Sequence, residues 1–249
     1  MLRSAVWKKE ELWEARCGLW VQLFSSRRLV VVHIPKAGGT SCVCALFNEP
    51  RSQHWTISEL KSVPSLRQFP SFAVVRNPFW RFVSAYNYLR CGGNPDIAVI
   101  KDNLAWSQLL KSMPFRQFVI LLTDNSPKGK RLFDDTMAEH GAKDVVMFTP
   151  QHRFICIADR VAVDLVVKME QIAAEGFVRL GKLSKEIGDV PVGHWNKTKR
   201  KTVSDLDEET ALKIYDFYKR DFELFGYSKD SWQDGSKFTA AQRWKIDRE

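Results

Sequence analysis

The sequence predicts an α/β fold: a three-layer sandwich around a central, mainly parallel sheet, with a strand–loop–helix like a phosphate-binding loop near its start. Three observations predict it. Residues 29–46, LVVVHIPKAGGTSCVCAL, run from a β-branched apolar stretch through a Gly-Gly turn into the start of a helix. Residues 71–89, SFAVVRNPFWRFVSAYNYL, repeat the strand-then-helix order. The 249 residues, 45% of them hydrophobic, suffice for one well-packed core and carry no internal repeat or linker. A single domain over 1–249 follows, with its core at about 29–227, a helix over 1–26 before it and a polar tail over 228–249 after it.

In the opening segment Leu12, Leu19, Trp20, Leu23 and Phe24 fall on one helical stripe. Its other face mixes both signs of charge, which favours packing on the domain over lying on a membrane surface. Acidic residues break any signal-peptide core there. LVVVHI, 29–34, then reads as a buried strand ended by Pro35. Gly38-Gly39 forces a tight turn, and Thr40-Ser41 offers the N-cap of a helix through Phe47. Backbone N–H groups and the positive end of that helix converge where Lys36 adds a full charge, which makes an anion site. The lysine precedes the glycines, so the loop is not the triphosphate loop GxxxxGK[ST].

Ser52 to Thr56 is a polar turn carrying His54, and ISELKSV after it is a short helix. The strand over 71–75 ends at Arg76; Asn77 caps and Pro78 opens the next helix. Phe79, Phe82, Val83 and Tyr86 form its buried face, and Ser84 stands off that stripe. Lys36 and Arg76 thus both follow strands directly, at the end where ligands collect on an open parallel sheet. Residues 97–122 read as helix in two pieces split around Pro114, and DNSPKG, 124–129, as a loop. Residues 145–148 and 161–167 read as strands, followed by Gln151-His152 and Glu170 respectively. Phe177, Leu180, Leu183 and Ile187 define another helix. HWNKTKRK, 194–201, is the one dense basic cluster, either a solvated face or a flap over phosphates. Asp205-x-x-Glu208 is a capping box for a helix through Lys219.

A net charge of +9 implies anionic ligands: nucleotide, acidic glycan, nucleic acid or membrane surface. Five cysteines without paired spacing argue against a disulfide framework and a zinc knuckle, and so for reduced thiols and a cytoplasmic compartment. No apolar run approaches the roughly 18 residues of a membrane span. Asn196-Lys197-Thr198 is a glycosylation sequon only in form.

HIPKAGGTS, QHWT, FAVVRNPFWRFVSAY, FTPQHRF, DLVVKME and the closing YKRDFELFGY occur in order over residues 29–227. Together they resemble the carbohydrate sulfotransferases, in the branch that includes the heparan sulfate and chondroitin 2-O-sulfotransferases and bacterial members. The resemblance implies 3′-phosphoadenosine 5′-phosphosulfate (PAPS) as sulfate donor, a glycan hydroxyl as acceptor and no metal. By position it implies that Lys36 and the backbone of Ala37, Gly38, Gly39, Thr40 and Ser41 hold the 5′-phosphosulfate. Arg76 and Ser84 would take the 3′-phosphate, Thr198 and Lys199 would belong to a loop over the nucleotide, and His54 matches the catalytic base. Ala37 stands where threonine is common, and His54 is a single histidine where the 2-O enzymes carry a nearby pair.

The residues agree with that chemistry. Sulfuryl transfer is an in-line displacement in which charge builds on the bridging oxygen of the leaving nucleotide; a lysine and helix-end N–H groups stabilise it. A neutral imidazole can take the acceptor's proton near pH 7. The residues alone leave His54, His152, His194 and Glu59 open as base, and the resemblance selects His54. Two other classes compete. A nucleotide kinase shares the strand–loop–helix logic but leaves Arg76 and Ser84 unexplained. A nucleic-acid binder would explain the charge but lacks a stacking or groove-reading module.

Overall fold

A computed structural model describes residues 18–49, 53–93, 101–140, 146–172, 177–184 and 206–234. In chain order the elements are α1 (Gly18–Arg27), β1 (Val30–Val32), α2 (Gly39–Phe47), α3 (Ile57–Ser62), β2 (Ser71–Val75), α4 (Pro78–Arg90), α5 (Lys101–Ser112), α6 (Phe115–Thr123), α7 (Pro127–His140), α8 (His152–Ile155), β3 (Cys156–Ile157), β4 (Arg160–Val161), β5 (Leu165–Lys168), α9 (Phe177–Leu183), α10 (Glu208–Phe217) and α11 (Lys219–Phe225). Short 3₁₀ turns cover Pro64–Leu66, Val146–Phe148 and Met169–Gln171. The chain packs as two compact units, the first running to Arg76 and resuming over Thr149–Lys197, the second holding Asn77–Phe148 and the chain from Thr198.

The first unit carries the sheet, three parallel strands in the order β1-β2-β5. Val30 pairs with Ser71 and Val32 with Ala73, while Phe72 pairs with Leu165 and Val75 with Lys168. All of β1 and β2 is buried, as expected of parallel strands covered by helices. The sheet register is fixed at one end by Asp164, whose Oδ2 accepts from both the N–H and the hydroxyl of Ser71 at 2.8 Å. The α/β class with a parallel sheet flanked by helices is therefore present. Helix α1 buries Trp20 and Phe24 against Trp55 and Phe47, with ring centroids 6.4 and 5.6 Å apart. Of the expected stripe Trp20 and Phe24 are core and Leu23 is half-buried, whereas Leu19 is 42% exposed; Leu12 lies outside the described residues.

Several expectations need correction. The strand expected over 29–34 is only Val30–Val32, because the chain leaves the ladder at His33 to begin the loop. The single strand expected over 161–167 is two, β4 and β5. Cys156–Ile157 and Arg160–Val161 close their own antiparallel hairpin, and the Asp164–Ser71 clamp restarts pairing only at Leu165. Thr40 and Ser41 do not cap α2, whose N-cap is Gly38 without a side-chain bond.

The second unit is a helical assembly around an aromatic cluster in which Phe82 meets Phe148 at 5.1 Å and Phe118 meets Phe148 at 5.0 Å. Asn77 caps α4 as the sequence predicts, its Oδ1 accepting from Phe79 N at 3.0 Å. The break at Pro114 between α5 and α6 is also as predicted. Residues 146–148 form a 3₁₀ turn rather than a strand. Their carbonyls are taken by side chains, Met147 O by Arg81 at 3.1 Å and Phe148 O by the Tyr218 hydroxyl at 2.6 Å. DNSPKG is not all loop: Ser126 Oγ accepts from Gly129 N at 3.0 Å and Pro127 occupies the first position of α7. The capping box of α10 is Asp207 with Thr210, two residues later than Asp205-x-x-Glu208, and the helix breaks at Tyr218 into α10 and α11. The helix expected through Ile187 is described as Phe177–Leu183, with Ser184 outside it; Ile187 and the basic cluster 194–201 lie outside the described residues. Among the described residues no helix is long and apolar enough to cross a membrane.

Candidate active site

The loop after β1 is a backbone cradle whose shape two glycines permit. Gly38 adopts φ 88°, the left-handed region, and a Cβ there would come within 3.1 Å of Met169 Cγ at the end of β5. Gly39 is more tightly constrained, since a Cβ would stand 1.8 Å from His33 Cδ2. Ala37 N–H closes the turn onto Ile34 O at 3.3 Å, and Cys42 N reaches Gly38 O at 3.4 Å. The N–H groups of Gly39, Thr40 and Ser41 open α2 and by position have no acceptor inside the helix. They form the donor end of the loop; the Ala37 N–H, expected among them, is committed to the turn.

Lys36 sits in the left-handed region at φ 63°, a conformation that costs a non-glycine residue on the order of 1 kcal/mol. Its carbonyl accepts from Arg76 Nη1 at 3.3 Å, which ties the end of β2 to the loop after β1. Burial, and secondarily the neighbouring Arg76 charge, bring the Lys36 ammonium down from 10.5 to about 8. Two cations held this close favour an anion between them. Lys36 and Arg76 are brought together because the strands before them, β1 and β2, pair in parallel.

His54 is half-buried on the segment before α3, and its Nδ1 stands 3.3 Å from His33 O. A carbonyl can only accept, so Nδ1 carries the hydrogen and Nε2 the lone pair. The sequence reading passed over His33. Its ring stacks on that of His54, with centroids 4.7 Å apart and planes at 26°. Thr40 Oγ1 lies 3.4 Å from His33 Nε2, and His33 Nδ1 is buried with no hydrogen-bond partner among the described residues. Burial, then His54, then Lys36 hold His33 well below the usual imidazole value, so it is neutral at pH 7. The sequence signal for it was its place at the strand end, three residues before Lys36.

The other candidates are distributed differently. Ser84 is half-buried on α4, in the second unit. Thr198, Lys199 and His194 lie outside the described residues. Glu59 is engaged as a cap: its Oε2 accepts from Thr56 N at 2.7 Å and from the Thr56 hydroxyl at 2.8 Å. His152 opens α8, next to Gln151, a fully buried side chain whose role the sequence did not suggest. Its Oε1 accepts from Arg76 N at 2.9 Å and its Nε2 donates to Arg76 O at 2.8 Å.

No curated protein and no solved structure matches the chain. Residues 23–228, which include the loop after β1, Arg76, His54 and both units, match the family model described as the sulfotransferase family. With most of its length matched, the chain belongs to the sulfotransferase family.

Proposed function

We propose that the protein transfers the sulfuryl group of PAPS to a hydroxyl of a carbohydrate acceptor, with His54 as general base. The observation that carries this reading is the convergence of Lys36 and Arg76 at the ends of adjacent parallel strands, beside the donor end of α2. The glycan acceptor rests on the resemblance of the motifs alone. In this reading the N–H groups of Gly39 to Ser41 and the Lys36 ammonium hold the 5′-phosphosulfate. As the sulfur–oxygen bond to the nucleotide breaks, negative charge grows on the bridging oxygen, and in this reading the Lys36 ammonium meets that charge. With a value near 8, Lys36 is still cationic at neutral pH and is a stronger hydrogen-bond donor than an ordinary lysine. His54 Nε2 takes the acceptor's proton as the oxygen bonds to sulfur. Arg76 reads the 3′-phosphate, the group that separates this donor from ATP.

The test is thermal denaturation with 3′,5′-ADP, with 5′-AMP and ATP as controls, on wild type and on Arg76→Ala. At about 100 times its dissociation constant 3′,5′-ADP should stabilise the wild type by roughly 2.7 kcal/mol. Arg76→Ala should weaken 3′,5′-ADP about ten-fold or more and leave 5′-AMP nearly unchanged, since hydrogen bonds to charged groups contribute about 1.5–3 kcal/mol. Equal responses to the three nucleotides would remove PAPS as donor.

A further inference from the structure

We propose that Gln151 is the positioning residue for Arg76, so that donor discrimination depends on an amide that touches no substrate; this rests on the reading of Arg76 as the 3′-phosphate contact. The β2–β5 ladder ends at Val75 paired with Lys168, and Arg76 is the next residue. There the Gln151 carboxamide takes the place of a neighbouring strand. It accepts the Arg76 N–H at 2.9 Å and donates to the Arg76 carbonyl at 2.8 Å, from 75 residues further along the chain. Two antiparallel bonds to both sides of one Cα fix the local backbone and with it the direction of the Cα–Cβ bond. Gln151 is 0% exposed, so water does not compete for either bond.

The residue type follows from the task. Only a carboxamide supplies one donor and one acceptor at this reach; a glutamate offers acceptors alone and a methionine offers no N–H donor. The arginine side chain is long and has many rotamers, so a contact to a phosphate needs its root held. Gln151 holds the root, and the Lys36 carbonyl accepts from the guanidinium at 3.3 Å. A loosened root would misplace the guanidinium by on the order of 1 Å, enough to lose much of a charge-assisted bond.

The experiment is a double-mutant cycle read by isothermal titration calorimetry with 3′,5′-ADP and with 5′-AMP, on wild type, Gln151→Met, Arg76→Ala and the double variant, with melting temperatures alongside. Gln151→Met should weaken 3′,5′-ADP about ten-fold and 5′-AMP by less than about two-fold, and should add nothing once Arg76 is alanine. A lower melting temperature alone would not produce that pattern. An unchanged affinity for 3′,5′-ADP, an equal loss for both nucleotides, or a full additional loss on top of Arg76→Ala would each overturn the proposal. If Arg76→Ala itself fails to separate the two nucleotides, the reading of Arg76 is what has failed. Should Gln151→Met not fold, Gln151→Asn serves in the same cycle with the same outcomes: its amide stops one methylene short and leaves room for a bridging water.

Discussion

Lys36 gives the site a pH dependence of definite sign. Its value is lowered from 10.5 to about 8, by burial first and the Arg76 charge second, so it is protonated below pH 8 and loses its charge above. The phosphates of 3′,5′-ADP are fully ionised over that range. Affinity for this ligand should therefore be flat near pH 7 and fall by up to about ten-fold per pH unit above 8. Titration calorimetry at pH 7, 8, 9 and 9.5 checks this, and Lys36→Met should abolish the slope. His54 makes a separate demand. As the base it should contribute about 10²–10⁴ in rate, so His54→Ala should lose that much turnover yet bind 3′,5′-ADP normally. Retention of more than about a tenth of wild-type turnover would exclude it as the base. Gly39 shows how closely such residues are fitted: with a Cβ 1.8 Å from His33 Cδ2, any side chain there would push the His33 ring off His54.

At the scale of elements, the turn Val146–Phe148 shows tertiary contacts overriding local preference. Its β-branched and aromatic residues suit a strand, yet in the second unit two buried side chains claim its carbonyls. Arg81, 0% exposed on α4, donates to Met147 O and lies 5.3 Å over the Tyr218 ring. The Tyr218 hydroxyl, at the break between α10 and α11, donates to Phe148 O at 2.6 Å, and burial pushes its titration well above the usual phenol range. Tyr218→Phe removes that donor from a buried carbonyl. It should cost about 1–3 kcal/mol in urea denaturation, with little change in the dependence on urea; a neutral result would show that the bond contributes nothing net. The missed start of α7 has a different origin. Ser126, Pro127 and Gly129 form a cap and first turn, but the same residue types also make loops, and only the Ser126–Gly129 bond separates the two.

For the whole molecule, the net charge of +9 favours anionic ligands without choosing among them. The choice comes from where individual cations stand. The sequence by itself determined the α/β class, the β1–loop–α2 element, the strand and cap at Ser71–Pro78, and the placing of Lys36 and Arg76 just after parallel strands. Those are local properties: apolar runs, turn glycines and a proline after an asparagine act within a few residues of themselves. The tertiary structure alone decided the rest. His33 stacks on His54 across 21 positions, Gln151 grips Arg76 across 75, and Asp164 locks Ser71 across 93. A lone histidine, glutamine or aspartate carries no periodic pattern, and its partner is fixed only when the chain closes. The features that give this site its electrostatics and its rigidity are contacts of that kind.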